Sequence, residues 1–190
     1  PTHRVLHRDI KPQNIGFMPR TEDDPPPSPA SPAHVGRLVL FDFGLACMWE
    51  RGGNGGNGGG GGGGPADDKS EYRFLTGECG SLRYMAPEVA LSKSYNHLAE
   101  VFSFATVLWE MVALKLPFAA FIEDAFKRAI VNGVRPKINK KWPDDLKALL
   151  DDCWQLEPSS RPEFVDIVQR LDALLLEEGG AKHPTAAVKV

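Results

Sequence analysis

The stretch Asn96–Leu114 (NHLAEVFSFATVLWEMVAL) is apolar on nearly every side, and it constrains the fold more than any other segment. A helix without a polar face has to be enclosed by other elements. It can start from Ser94 or Asn96 as a cap and must stop before Pro117. Lys115 and Pro117 also keep the apolar run below membrane-spanning length. Three further helical patterns can supply the cover. Phe121–Val131 places Ile122, Ala125, Phe126, Ala129 and Ile130 at helical spacing, with acids Glu123 and Asp124 near its start and Asn132-Gly133 as its stop. Asp144–Trp154 sets Leu146, Leu149, Leu150 and Cys153 on one face. Ser160 and Glu163 read as a capping box for a last helix, with Phe164, Ile167, Val168, Leu171, Leu174 and Leu175 as its stripe and Gly179-Gly180 as its end.

Strand signals are few. Asn14–Phe17 and Arg37–Phe41 (RLVLF) suggest a short hairpin whose arms are separated by PRTEDDPPPSPASPAH, Pro19 to His34. That proline-rich, acidic segment reads as an extended, solvated loop. Gly52–Gly64 is almost pure glycine with two asparagines and reads as a flexible tether. Two disordered insertions are therefore expected, near 19–34 and 50–68, within one domain spanning 1–178, followed by a flexible tail over 179–190. A formal net charge of -3 gives no reason to expect nucleic acid or an anionic membrane as a partner. Cys47, Cys79 and Cys153 are widely separated and odd in number, which gives no sign of a disulfide framework and favours an intracellular, cytoplasmic protein.

Three short motifs carry chemistry. His7–Asn14 reads HRDIKPQN. Phosphoryl transfer to a hydroxyl needs a carboxylate within reach of the attacking oxygen and cations to offset charge on the phosphate. Asp9 can be the carboxylate, and Lys11, two residues on along an extended loop, can neutralise the phosphate. Asn14 offers an amide oxygen suited to Mg²⁺. Asp42-Phe43-Gly44 follows the apolar strand directly; a carboxylate at a strand end, with a glycine that lets the backbone turn, suits a magnesium clamp. The third motif is Ala86-Pro87-Glu88 within GSLRYMAPEVA.

In this order the three motifs resemble those of protein kinases, and the resemblance runs from about Val5 to Glu178. It implies an α+β, predominantly helical fold: the large, C-terminal lobe of a kinase, with a short β-hairpin at the catalytic cleft and the N-terminal lobe absent. It implies Asp9 as catalytic base, Lys11 as a phosphate contact, and Asn14 with Asp42 as magnesium ligands. ATP and Mg²⁺ are the implied cofactors and protein hydroxyls the implied substrates. His7 and Phe43 would pack together to align the two loops beside Gly44. Glu88 would pair with Arg161. Lys11, and Ser81 with a hydroxyl able to bond Asp9 and Lys11, resemble the serine/threonine-specific class. WEMVALKLPF and CWQLEPSSRP resemble its tyrosine-kinase-like branch, the Raf and mixed-lineage sort. Thr76, with Ser70 and Tyr72 behind it, would be the activating phosphosite and Arg8 its docking cation.

The chain departs from that pattern in three places. No glycine-rich nucleotide loop or strand lysine precedes Val5, so the polypeptide as it stands is expected to bind ATP poorly. Glu100 stands where the family has aspartate at the start of the central helix, so either the catalytic loop shifts or its bond to that carboxylate weakens. Gly16 stands where a leucine usually lies under adenine, removing apolar contact. Phe102, Phe104 and Trp109 read as core aromatics. An incomplete serine/threonine kinase domain is the expected function, and a pseudokinase or truncated lobe acting as a binding module is the alternative.

Overall fold

A computed structural model describes residues 3–24, 36–50 and 80–180. Thr76, Ser70, Tyr72, Cys79 and the glycine tract lie outside them. The chain begins with strand β1 (His3–Leu6), a 3-10 turn at Pro12–Asn14 and β2 (Ile15–Met18). Strand β3 (Arg37–Leu40), a second 3-10 turn at Phe43–Leu45 and β4 (Cys47–Glu50) follow. Five helices complete the order: α1 (Pro87–Ala90), α2 (Leu98–Ala113), α3 (Glu123–Val131), α4 (Asp144–Cys153) and α5 (Phe164–Gly180).

Strands β2 and β3 pair antiparallel, Ile15 opposite Leu40 and Met18 opposite Arg37, so the expected hairpin forms across the proline-rich insertion. The second antiparallel pair, β1 with β4 (Leu6 opposite Cys47), was not expected from the sequence. Its segments HRVL and CMWE are short and lack the alternation that marks a strand.

Helix α2 is the axis of the core. Leu98, Ala99, Val101, Phe102, Ala105, Val107 and Trp109 are buried, and α1, α3, α4 and α5 contribute Val89, Phe126, Ile130, Leu149, Leu150, Cys153 and Ile167 around it. Asn96 is the cap that acts at its start, since its side-chain oxygen accepts from the Leu98 N–H at 3.0 Å. The one buried polar side chain within the helix, Thr106, donates to the Phe102 carbonyl and accepts from Trp154 Nε1, each at 3.1 Å. Phe102 and Trp109 are core aromatics as expected, whereas Phe104 is only partly buried against the cluster.

The enclosure of α2 is incomplete at its end. Met111, Val112 and Leu114 are exposed, because the chain leaves the core through a left-handed Leu114 at φ 52°. In α3, Phe126, Ala129 and Ile130 face the core as expected, while Ile122 precedes the helix and is 76% exposed. Helix α5 departs furthest. Only Ile167 of its expected stripe is fully buried, and Val168 and Leu175 are exposed. Its start is also different: Ser160 lies in a separate 3-10 turn, and Asp166 reaches back to the Glu163 N–H at 3.2 Å. Glu163 itself bonds His97 Nε2 at 2.8 Å instead of Ser160. Among the described residues no helix is long and apolar enough to cross a membrane.

Candidate active site

The site is assembled from the loop after β1, the turn after β3 and the segment that precedes α1. Asp9 is the centre of a compact polar cluster and is buried. Its Oδ1 accepts the Ser81 N–H at 2.7 Å, and its Oδ2 lies 2.6 Å from Lys11 Nζ and accepts from Asn14 Nδ2 at 3.0 Å. Lys11 Nζ also donates to Ser81 Oγ at 2.8 Å. Burial raises the Asp9 pKa, but the bonds to Lys11 and Ser81 and the Lys11 charge outweigh it and leave the carboxyl below its usual range. Asp9 is therefore ionised at neutral pH and keeps acceptor capacity beside a cation.

Asn14 donates from its amide nitrogen to the Asp9 carbonyl at 2.9 Å and to Asp9 Oδ2. Its side-chain oxygen is left as the group a hard cation would take. The Phe41 N–H donates to the Asn14 carbonyl at 2.8 Å, so the residue preceding Asp42 is tied directly to the loop that carries Asp9. His7 adds a second tie: Nε2 meets the Phe41 carbonyl at 2.7 Å, Nδ1 accepts the Asp9 N–H at 3.3 Å, and the ring meets Phe43 edge-on at 5.0 Å. A ring that donates at Nε2 and accepts at Nδ1 is the neutral tautomer. Asp42 is exposed and left-handed at φ 57°, with Oδ1 accepting from the Gly44 N–H at 3.3 Å. An aspartate tolerates that conformation because its short side chain can bond its own turn.

Glu100 reaches the loop from the first turn of α2. Its Oε1 accepts the Arg8 N–H at 2.7 Å. Burial raises its pKa, and the backbone bonds to Arg8 and His7 only partly offset that. Arg8, left-handed at φ 66°, donates from Nε to the Leu45 carbonyl, so its guanidinium bridges the Asp9 loop to the segment after Asp42. Glu88 and Arg161 meet as a bidentate pair at 2.6 and 2.9 Å, far from solvent.

Two residues were missed from the sequence. Gly80 has φ +94°, and a Cβ there would sit 2.4 Å from the Arg8 carbonyl oxygen. Only glycine lets the segment approach closely enough for the Ser81 N–H to reach Asp9; its place directly before Ser81 was the available signal. The Leu45 carbonyl has no sequence signature, because any residue supplies one. Gly16 was flagged as a gap, but the space beside it is filled: a Cβ at Gly16 would lie 2.5 Å from Cε2 of Phe41.

Among the described residues no three His, Cys, Asp or Glu side chains group as a metal cage. The available donors, one amide oxygen and one exposed carboxylate, suit a hard divalent cation that takes its remaining ligands from a phosphate and water. They do not suit a structural transition metal.

A helical core around one buried axis thus carries an aspartate–lysine–asparagine cluster beside two hydrogen-bonded loops. A family model described as the protein kinase domain matches residues 2–171, and the chain belongs to the protein kinase family. It is similar to serine/threonine-protein kinase STY17 of Arabidopsis thaliana, 41% identical over 93% of this chain and 25% of that protein. It is also similar to serine/threonine-protein kinase VIK of Arabidopsis thaliana, 30% identical over 90% of this chain and 33% of the relative. Human mitogen-activated protein kinase kinase kinase 7 is 29% identical over 95% of this chain and 24% of its own length. The chain thus spans about a quarter to a third of these relatives. The resemblance to tyrosine-kinase-like serine/threonine kinases read from the sequence agrees with them.

Proposed function

We propose that residues 1–178 form the large lobe of a protein kinase that transfers the γ-phosphoryl group of ATP to serine or threonine hydroxyls of proteins. The observation that carries this reading is the Asp9 cluster: an ionised carboxylate held between Lys11, Asn14 and the Ser81 N–H, at the edge of an open groove. The groove is lined by Lys11, Gln13, Ser81, Arg83, Ile122 and Glu123, so an extended segment lying in it would present a hydroxyl to Asp9. Asp9 orients that hydroxyl and takes its proton. Lys11 offsets charge on the transferring phosphoryl group, and Ser81 holds the lysine in place. Asn14 and Asp42 are the proposed Mg²⁺ ligands; when bound, the ion neutralises charge on the nucleotide phosphates. His7 and Glu100 act as positioning residues, through the Phe41 carbonyl and the Arg8 N–H. Arg8 remains the proposed docking cation for a phosphate on Thr76.

The binding-module reading rested on Glu100, Gly16 and the absent N-terminal lobe. Glu100 makes its bond to the catalytic loop, and Phe41 fills the space beside Gly16. What supports the enzyme reading is thus broader than the motifs alone.

The test is phosphotransfer from radiolabelled ATP to mixed serine/threonine peptides by the complete protein that contains this chain, with tyrosine peptides as control. Asp9→Asn is expected to lower the rate about 10²–10⁴-fold without changing the thermal midpoint by more than a few degrees. Equal rates for both proteins would refute the role of Asp9. A wild-type protein that folds yet transfers no phosphate would favour the binding module.

A further inference from the structure

We propose that the groove between the end of α2 and the two connectors flanking α3 docks an acidic peptide segment of a partner protein, one with an apolar side chain among its acids. The groove encloses about 780 Å³, room for a side chain and its flanking backbone and not merely for one ion. Its apolar lining comes from Trp109 of α2, Phe118 and Phe121 of the α2–α3 connector, and Val134, Pro136 and Ile138 of the α3–α4 connector. Lys115 on the first connector and Lys137, Lys140 and Lys141 on the second are exposed around it. No Asp or Glu among the described residues lines it. Arg135 lines it too, but that guanidinium already donates to the carbonyls of Ile130, Val134 and Trp154 and lies over the Phe102 ring.

Elsewhere the lysines have counter-charges: Lys11, Lys127 and Lys147 pair with Asp9, Glu123 and Asp144 at 2.6, 3.1 and 2.5 Å. Lys115, Lys137, Lys140 and Lys141 have no such carboxylate among the described residues. Like charges gathered around one groove repel, and an acidic ligand relieves that repulsion as it binds. The walls are set before any ligand arrives. Trp109 Nε1 donates to the Lys137 carbonyl at 3.1 Å, Arg83 donates to the Phe118 carbonyl at 3.0 Å, and Asn139 Oδ1 accepts the Lys141 N–H at 3.0 Å. Little ordering cost is then left for binding. Trp109 and Phe118 are each only 6% exposed, recessed below the lysines, so a flat bilayer would meet the cations and miss the floor. A formal net charge of -3 opposes a long polyanion. A short acidic segment with one apolar anchor matches both rim and floor.

The experiment follows the fluorescence anisotropy of a short labelled peptide of aspartates and glutamates around one phenylalanine, titrated without nucleotide with the complete protein that contains this chain. Lys137→Glu with Lys141→Glu is expected to weaken binding at least about fivefold, as is Lys115→Glu with Lys140→Glu, a second pair in case the first fails to fold. Added salt should weaken the wild type toward the variants. Replacing the peptide's phenylalanine with alanine should also weaken binding, and Val134→Ser in the protein should narrow that difference. The proposal is overturned if the wild type does not bind the peptide, or if lysine variants that melt like the wild type bind it unchanged. Equal affinity for the phenylalanine-free peptide overturns it as well. Equal or tighter binding of oligouridine or of phosphatidylserine vesicles, lost in the same variants, would assign the cations to a polyanion and overturn the peptide reading. The groove shares only Phe121 with the one at Asp9, so none of these outcomes bears on phosphotransfer.

Discussion

Replacing Glu88 with leucine should cost this fold more stability than a typical core truncation, for reasons that can be worked out bond by bond. Arg161 is fully buried, and four hydrogen bonds from its guanidinium hold it there. Two go to the Glu88 carboxylate at 2.6 and 2.9 Å; the others go to the carbonyls of Leu98 and Gln155, each at 2.9 Å. Phe102 lies against it, with the guanidinium carbon 5.3 Å from the ring centroid, so no water replaces a lost partner from that side. Removing Glu88 takes from a buried cation the carboxylate that accepts two of these bonds, at a cost of about 3–5 kcal/mol. For a chain of this size that corresponds to a midpoint lowered by about 6–20 °C. Arg161→Met should cost a similar amount, since it strands the carboxylate and leaves two carbonyls short of donors. The double variant, Glu88→Leu with Arg161→Met, should lose at least about 2 kcal/mol less than the sum of the singles. Urea unfolding of the chain, followed by the fluorescence of the buried Trp109 and Trp154, reads all three. Single-variant losses below about 1 kcal/mol, or singles that add to the double within about 0.5 kcal/mol, would refute the claim that the pair acts as one buried unit.

Glu100→Gln keeps an acceptor for the Arg8 N–H and removes a carboxylate whose pKa burial raises above the ordinary 4.5. Because the folded pKa is the higher one, the stability this group contributes is fully present below about pH 4.5 and is lost as pH rises through the folded value. The variant should therefore melt above the wild type at pH 7, with the gap closing toward pH 4.5; melts across that range that show a constant or reversed gap would contradict the shift. Cys153 is buried, with its thiol pushed up to about 12 by burial, so iodoacetamide should modify it only after unfolding. Peptide mass spectrometry with and without urea checks this, and rapid labelling of the native chain would contradict the burial.

Helix positions were legible in the sequence because apolar spacing over ten or more residues survives any local detail, as Phe126, Ala129 and Ile130 or Leu149, Leu150 and Cys153 show. Which face is buried was legible only where a second element covers it. Val168 and Leu175 share a stripe with Ile167 yet are exposed, since periodicity records a helix's own pattern and not the reach of its neighbours. The capping box at Ser160 and Glu163 failed because Glu163 had a better partner in His97, sixty-six positions away. The four-residue α1 and the β1–β4 pair were too short to leave a pattern. At the site, motif order placed Asp9, Lys11, Asn14 and Asp42 in two loops that do meet, through Asn14 and Phe41. Unread were the contacts that depend on backbone, namely Gly80 against the Arg8 carbonyl and Arg8 against that of Leu45. The surroundings of Glu100 and Gly16 were unread for the same reason: whether a longer or a missing side chain matters depends on where the facing group stands.

The first turn of α2 joins the two halves of this physical picture. Leu98 gives its carbonyl to Arg161 at 2.9 Å, and Glu100, two residues on, takes the Arg8 N–H at 2.7 Å. Arg8 and Asp42 both hold left-handed backbones, a conformation that costs a non-glycine residue about 1–3 kcal/mol and persists only where its surroundings over-determine it. For Arg8 the surroundings are Glu100 and the Leu45 carbonyl; for Asp42 they are the Gly44 N–H, with Phe41 and Phe43 held by His7 on either side. The strain at the site is thus held by a helix whose own position is set by apolar enclosure and by the buried guanidinium at its start. A chain with an all-round apolar helix had to build a helical core, and the acid at the start of that helix passes the rigidity of the core to the catalytic loop.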